Sequence, residues 1–392
     1  MSNAVIHLAS WFFALLALCG LGYLVLSLFS EWRFLRQRAQ IAAPKDAADA
    51  DAFTPPVSIL KPLRGTDRQM YESFRSHCLQ DYPCYEIVFG VNQADDEAVA
   101  EVERLKQEFP RHDIHLLVCP EPTGTNRKVS NLVAMLEAAR YGHIVINDSD
   151  ILVEPDYLRR IVAPLRDEQV GLVTALYRAQ AGAGLASRTE AVTIASDFAG
   201  GVLCAVTLDG GMTFGLGSTM AFPRRAAQAI GGLETLLDHL ADDHELGKRI
   251  YQAGYKVVLS DVVVETFLPD YGFGDMFRHQ LRWARTMRDL RRAGYAGVLM
   301  TFGLPWAVLA AILAGGAAWS LWLLAVVAAA RFASAVVLCG PVLKDKSAMR
   351  DLWLVPVRDF VGLAVWFAAF GGNTIEWRGE QFHLKDGKLT RL

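Results

Sequence analysis

The sequence predicts an α/β protein with a mostly parallel sheet, tied to a membrane at both ends. Three observations predict it. Between residues 57 and 148, four β-branched, apolar runs are separated by helical patterns with short links, as in a sheet whose strands cross over through helices. An uncharged run from Ala9 to Phe29 has the length of a bilayer's hydrocarbon core. Apolar segments return after Tyr295, and 52% of the 392 residues are hydrophobic, too many for a purely soluble domain.

Taken in order, residues 1–31 read as a transmembrane anchor. Arg33, Arg36 and Arg38 follow the apolar run, and no Lys or Arg precedes it, so the positive-inside rule puts residue 31 onward in the cytoplasm. Residues 32–56 read as a linker because "IAAPKDAADADAFTPP" (41–56) is rich in Ala, Asp and Pro. The body begins with "VSILKPL" (57–63), a strand closed by Pro62 and Gly65. Helix 68–80, strand 85–92, helix 95–109, strand 113–120, helix 126–141 and strand 143–148 follow. Acids at the start of the 95–109 pattern suit a helix N-terminus.

Ligands of such sheets bind at the carboxyl ends of the strands. "GHIVINDSDILVEP" (142–155) ends a buried strand in Asp148 and Asp150, a hard oxygen pair suited to Mg2+ or Mn2+ beside phosphates. Asn92 to Asp96 fall at a neighbouring strand end. Lys61 and Arg64 sit where the first strand ends, and Lys128 sits near a helix start, where a point charge can face a phosphate. The sequence has no GxxxxGK[ST] loop and no GxGxxG after a first strand, which disfavours an ATPase or a dinucleotide binder. Net charge is -3, so no basic field points to nucleic acid, and the six cysteines show no zinc spacing.

Further along, the glycine-rich "DGGMTFGLGSTMAF" (209–222) gives a backbone room for close approach, and "HLADDHELGKRIYQAGY" (239–255) opens a helix with Asp242 and Asp243. "FRHQLRWARTMRDLRRAGY" (277–295) is basic and amphipathic, as expected of a helix lying at a membrane surface. Residues 295–371 form a C-terminal membrane region, with Gly315–Gly316 at a break. Its last segment, Leu352 to Phe370, contains Arg358 and Asp359, and the sequence leaves open whether it spans or lies re-entrant. Residues 372–392 are a tail. The domains are therefore 1–31, 32–56, 57–274, 275–294, 295–371 and 372–392.

The ordered set "KPLRG" (61–65), "DDE" (95–97), "NRKVSNL" (126–132), "NDSD" (147–150), "ADDHELG" (241–247) and "HQLRW" (279–283) resembles the GT-A-fold family 2/21 glycosyltransferases. The ceramide glucosyltransferase-like branch, which includes bacterial hopanoid glycosyltransferases, is the most similar. The resemblance implies a GT-A sheet domain over 57–274 and one-hexose transfer, glucose or N-acetylglucosamine, from a UDP-sugar to a membrane lipid such as ceramide or a hopanoid polyol. It implies that Asp96, with Asp95 beside it, contacts the uridine. Asp150 becomes the main metal ligand with Asp148 shared between metal and nucleotide-sugar, Lys128 and Arg64 face the nucleotide, and Asp243 is the base of an inverting displacement. In the family's (Q/R)xxRW pattern, Arg282 and Trp283 match, whereas the first position is His279, flanked by Gln280. These residues would serve the acceptor and the diphosphate. The expected setting is an integral membrane protein, in a bacterial inner membrane, with its catalytic domain on the cytoplasmic face. A processive polysaccharide synthase and a non-catalytic membrane scaffold with a degenerate nucleotide-sugar fold are the alternatives.

Overall fold

The computed structural model describes residues 3–42, 53–119, 123–377 and 380–391; most of the expected linker, 43–52, lies outside the described residues. The chain forms two compact units, one of 38–180, 208–269 and 387–392, the other of 1–37, 181–207 and 270–386.

The first unit is built on seven strands: β1 (Val57–Pro62), β2 (Tyr85–Val91), β3 (Ile114–Val118), β4 (His143–Asn147), β5 (Val170–Gln180), β6 (Thr219–Pro223) and β7 (Lys256–Phe267). Their order is β3-β2-β1-β4-β6-β5-β7. All neighbours run parallel except β6, which is antiparallel to both β4 and β5. The first four strands fall where the apolar runs predict them. β1 and β2 are buried nearly end to end because helices cover both faces, so they read as continuous apolar runs rather than alternating ones. Phe74 and Phe89 meet in the core with ring centroids 4.7 Å apart, and burying each such side chain stabilises by about 1.5–3 kcal/mol. Gly90 lets the Arg127–Ala138 helix close on β2, since a Cβ there would lie 2.4 Å from the Met135 sulfur. The register pairs Pro62 with Gly90 and Leu60 with Ile146, so β1, β2 and β4 end at about one level.

The second unit is mainly helical. Its first helix, Asn3–Ala42, has 40 residues, about 60 Å at 1.5 Å per residue and twice a bilayer's apolar thickness. It therefore runs on through the arginines into the segment expected as linker. Among the described residues, four helices are long and apolar enough to cross a membrane: Ala4–Gln40, Leu185–Leu208, Ala318–Val342 and Leu352–Gly371. A fifth candidate is the pair Arg292–Thr301 and Gly303–Leu313, bent by 51°. Gly315 and Gly316, at φ 63° and 73°, make the break that follows.

Leu185–Leu208 is absent from the sequence reading. Arg188, Glu190 and Asp197 interrupt its apolar run, which hides it from a search for uncharged stretches. Each is paired inside its unit: Arg188 with Asp351, Glu190 with Tyr271 and His279, and Asp197 with Arg358. As a result the span 57–274 is not one continuous unit but is interrupted at 181–207. The amphipathic segment expected at 275–294 is a helix over Phe273–Leu290, broken at Arg291. In the tail, β8 (Thr374–Trp377) and β9 (Glu380–Lys385) pair antiparallel.

Candidate active site

The tip of β4 is fixed from several sides. Asn147 Nδ2 lies within hydrogen-bond distance of the Tyr157 hydroxyl (3.0 Å), the Ser218 carbonyl (3.0 Å) and Thr219 Oγ1 (2.9 Å), and the buried His77 Nε2 lies 3.3 Å from its Oδ1. The chain then turns outward through Asp148, Ser149 and Asp150. Ser149 Oγ donates to Asp67 at 2.5 Å, and Thr266, near the end of β7, donates its hydroxyl hydrogen to Asp150. Burial first, and then the Asp148 charge, pushes the Asp150 carboxyl up to about 6. From β1, the fully buried Lys61 donates to the Asp148 carbonyl at 2.9 Å. Burial pulls its ammonium down to about 7 although Asp150 and Asp148 favour the charge.

A second arm comes from the Arg127–Ala138 helix. Asn126 caps it, accepting from the Val129 N–H at 3.2 Å, and donates to the His239 carbonyl at 2.8 Å. In its first turn, Lys128 Nζ lies 2.6 Å from Asp148 Oδ1 and 3.7 Å from Asp242 Oδ2. Burial works against that charge, but Asp148, Asp242 and Asp243 outweigh it and hold the ammonium above its ordinary range. Asp242 and Asp243 open the Asp242–Gln252 helix, where acids meet the positive end of the dipole. Burial raises both; Asp242 reaches about 6 despite Lys128. The glycine-rich loop closes directly on this helix. A Cβ at Gly217 would lie 3.0 Å from Asp243 Oδ2, and one at Gly247 only 2.2 Å from the Gly215 nitrogen.

The structure thus brings Lys61, Lys128, Asp148, Asp150, Asp242 and Asp243 together at the carboxyl ends of β1 and β4. Asp96 accepts from the Gly65 N–H (3.0 and 3.1 Å) and from the Ala98 N–H (2.9 Å), clamping the exit of β1 to that of β2 and to the first residue of the next helix. Beside it Asp95 is exposed, and Arg64 is half-buried on the loop after β1. His279, Gln280, Arg282 and Trp283 lie in the helical unit, on Phe273–Leu290. Gln280 is buried, and its amide nitrogen has no hydrogen-bond partner among the described residues. Sequence reasoning missed Asp67, Asn126, Asn147 and Thr266, all of which hold the acids or their supports. Of these only Asn126 carried a signal, as a helix-start residue before an apolar pattern.

Four buried or half-buried carboxylates (Asp148, Asp150, Asp242, Asp243) lie around two ammonium groups (Lys61, Lys128), so acids outnumber bases in this cluster. Clustered hard oxygens are the donor chemistry a divalent cation takes, and Asp150 and Asp148 are the residues that would hold one here. Among the described residues, Glu86, Asp113 and His115 form a group of three possible ligands within 4.8 Å of one another. That group lies at the opposite, amino ends of β2 and β3. Arg140 already bridges it, through Glu86 at 2.8 Å and Asp113, so it is a salt-bridge knot.

The family described as glycosyl transferase family 21 matches residues 12–390. Two ceramide glucosyltransferases of Caenorhabditis elegans are similar to this chain. Number 3 is 29% identical over 211 residues, 54% of this chain and 46% of the relative; number 1 is 27% identical over 267 residues, 65% and 57%. The chain spans about half the length of these curated relatives. Among solved structures, a mannosyltransferase from Pyrobaculum calidifontis, in complex with GDP-Man and Mn2+, superposes with a TM-score of 0.51 at 20% identity, over 91% of this chain and 98% of that one. At that identity the likeness establishes the fold, a mostly parallel mixed sheet flanked by helices.

Proposed function

Because this chain belongs to glycosyl transferase family 21, we propose that it is a membrane-associated, inverting, metal-dependent transferase moving one hexose from a UDP-sugar to a hydroxyl of a membrane lipid. Ceramide is the first candidate acceptor, on the names of the relatives, and a hopanoid polyol the second. The observation that carries the reading is Lys128, whose ammonium bridges Asp148 of the β4 tip and Asp242 of the 242–252 helix and so joins both acid pairs in one cluster.

A divalent cation, Mg2+ or Mn2+, held by Asp150 and Asp148 would neutralise charge on a leaving diphosphate. Lys128 offers that diphosphate a positive point charge kept protonated by its acid neighbours. Asp96, Asp95 and Arg64, at the exits of β1 and β2, are the residues assigned to the nucleotide. Asp243, raised by burial, is matched to taking a proton from an acceptor hydroxyl as its oxygen attacks the anomeric carbon. A base opposite the leaving group gives inversion. In the helical unit, Arg282 and Trp283 are assigned to the acceptor headgroup. The bilayer is the partner surface, and the arginines after the first apolar run favour a catalytic domain on the cytoplasmic face.

The test incubates detergent-solubilised protein with UDP-glucose or UDP-N-acetylglucosamine, Mn2+ or Mg2+, and ceramide or a hopanoid polyol. One sugar per lipid is expected, abolished by chelation. Full activity in Asp150→Ala or Asp243→Ala would sink the assignment.

A further inference from the structure

Residues 387–392 belong to the sheet unit and have no part in the function proposed above. Their strand, β10 (Lys388–Arg391), meets the segment that leads into Asp242 and Asp243. Lys388 and His239 form an antiparallel bridge. On either side of it the Leu389 N–H donates to the Asp238 carbonyl at 2.8 Å, and the Leu240 N–H donates to the Gly387 carbonyl at 3.1 Å. Neither the Asp238 carbonyl nor the Leu240 N–H has another partner among the described residues. Leu240 and Leu389 are buried, so losing the strand leaves the Leu240 N–H without a partner and largely without water.

A second set of bonds ties the same segment to the start of the Lys128 helix. The Asn126 N–H donates to the Leu237 carbonyl at 2.8 Å, and the Asn126 side-chain amide donates to the His239 carbonyl at 2.8 Å. The Asp238 carboxylate accepts from the Thr125 N–H (3.0 Å) and hydroxyl (3.1 Å). Residues 237–240 are therefore held by β10 and by the turn at 125–126 together. The Asp242–Gln252 helix has no side-chain cap at Ala241, so the segment before it sets where the helix starts. That start places Asp242 Oδ1 3.5 Å from Asn126 Nδ2 and Asp242 Oδ2 3.7 Å from Lys128 Nζ, with Asp243 next in line. Both distances are already at the long end, and a shift of about 1 Å parts both contacts; misplacements of that size cost about 10²-fold in rate.

We infer that β10 is a strap that holds residues 237–240 against the turn at 125–126, and that Leu389 is a positioning residue, acting through its backbone N–H on Asp243. This rests on the reading of Asp243 as the base. Two variants of the full chain separate the backbone bond from packing: Leu389→Pro lacks the N–H, whereas Leu389→Ala shortens the buried side chain and keeps it. In the transfer assay Leu389→Pro should lower kcat by about 10²-fold and leave KM for the UDP-sugar within about threefold, while Leu389→Ala stays within about threefold of wild type in both. In an Asp243→Asn background, with residual transfer read from a radiolabelled donor, Leu389→Pro should cost less than about threefold more, because the group it positions is already gone. A strand that only adds stability gives the same factor in both backgrounds. Melting curves confirm folding, and removal of residues 389–392 replaces the proline variant if that one does not fold. Amide hydrogen exchange needs no turnover: over residues 237–243 it should be about tenfold faster in Leu389→Pro, with β1 and β4 unchanged. An unchanged kcat or unchanged exchange in folded Leu389→Pro, an equal loss in Leu389→Ala, or the full loss repeated on Asp243→Asn overturns the inference. If wild type transfers no sugar the enzymatic reading falls, and exchange alone decides for or against the strap; transfer by wild type with kcat and exchange unchanged in Leu389→Pro leaves that reading standing and removes the strap.

Discussion

Both units bury charge, but they balance it differently. In the helical unit Arg331 grips Asp359 through Nε and Nη2 (both 3.0 Å) and also reaches the carbonyl (3.2 Å) and hydroxyl (3.1 Å) of Ser196. Arg358 completes the set, donating to Asp359 at 2.9 Å and pairing with Asp197. Two arginines meet two aspartates, so the formal charges of this set cancel, with Asp197 partly exposed and the Arg358 Nε without a hydrogen bond among the described residues. At the strand tips of the sheet unit, four aspartates share two lysines, and Asp150 and Asp242 are left with carboxyls near 6. A closed set inside apolar helices is scaffold: it offsets its own desolvation and specifies which helices pack. An open set has cost the fold stability without return from the protein, and such sets mark ligand sites.

The largest effect that sharpens this contrast is catalytic. Asp243→Asn should lower kcat by about 10²–10⁴-fold, the usual contribution of a positioned base, without lowering the melting temperature. Retention of more than a tenth of the activity would remove Asp243 from that role. The converse belongs to the closed set. Asp359→Asn strips Arg331 and Arg358 of their shared carboxylate and should destabilise by about 3–5 kcal/mol, read as a lower denaturation midpoint in detergent. Turnover per folded molecule should stay within about twofold. An unchanged midpoint would show that the pair is not holding the helices.

How much of this was legible in the sequence follows the same division. The first four strands and the acids at their tips were readable because parallel strands buried on both faces are continuous apolar runs, and Asp148 and Asp150 end one abruptly. Leu185–Leu208 was not readable, since its charges are cancelled by residues as distant as Asp351 and Arg358, which only the fold brings near. The same holds for His279, whose partner Glu190 lies 89 positions away. In the sequence Lys128 is a point charge near a helix start that can face a phosphate; that it joins two acid pairs depends on packing of the 127–138 helix, which meets β2 where Gly90 leaves room for Met135. Asp96 was read for a ligand role, and the structure adds a local one, the clamp on Gly65 and Ala98.

The open set also makes a pH prediction. Asp150 must be ionised to hold a cation, and burial with the neighbouring Asp148 charge has raised its carboxyl to about 6. Protons therefore compete as pH falls through 6. The dissociation constant for Mn2+, measured by titrating the purified protein, should rise about tenfold per pH unit below 6 and be nearly flat above 7. Affinity constant from pH 7 to 5 would count against Asp150 as a ligand.

The smallest predicted effect has the most diagnostic sign. A carboxyl raised from 3.8 to about 6 on folding binds protons more readily in the folded state than in the unfolded one. Folding thus disfavours the ionised form, and stability contributed by this group is full at low pH and lost as pH rises through 6. At pH 7.5 without metal, Asp150→Asn should remove that strain while its amide oxygen keeps the Thr266 hydrogen bond, raising the melting temperature by about 2–4 °C. The gain should shrink below pH 6, where the native carboxyl is itself protonated. Added Mn2+ should raise the melting temperature of wild type but not of the variant, because only the carboxylate links binding to folding. Asp359→Asn gives the opposite sign at every pH, and a melting temperature lowered by both substitutions would erase the distinction between the closed and the open set.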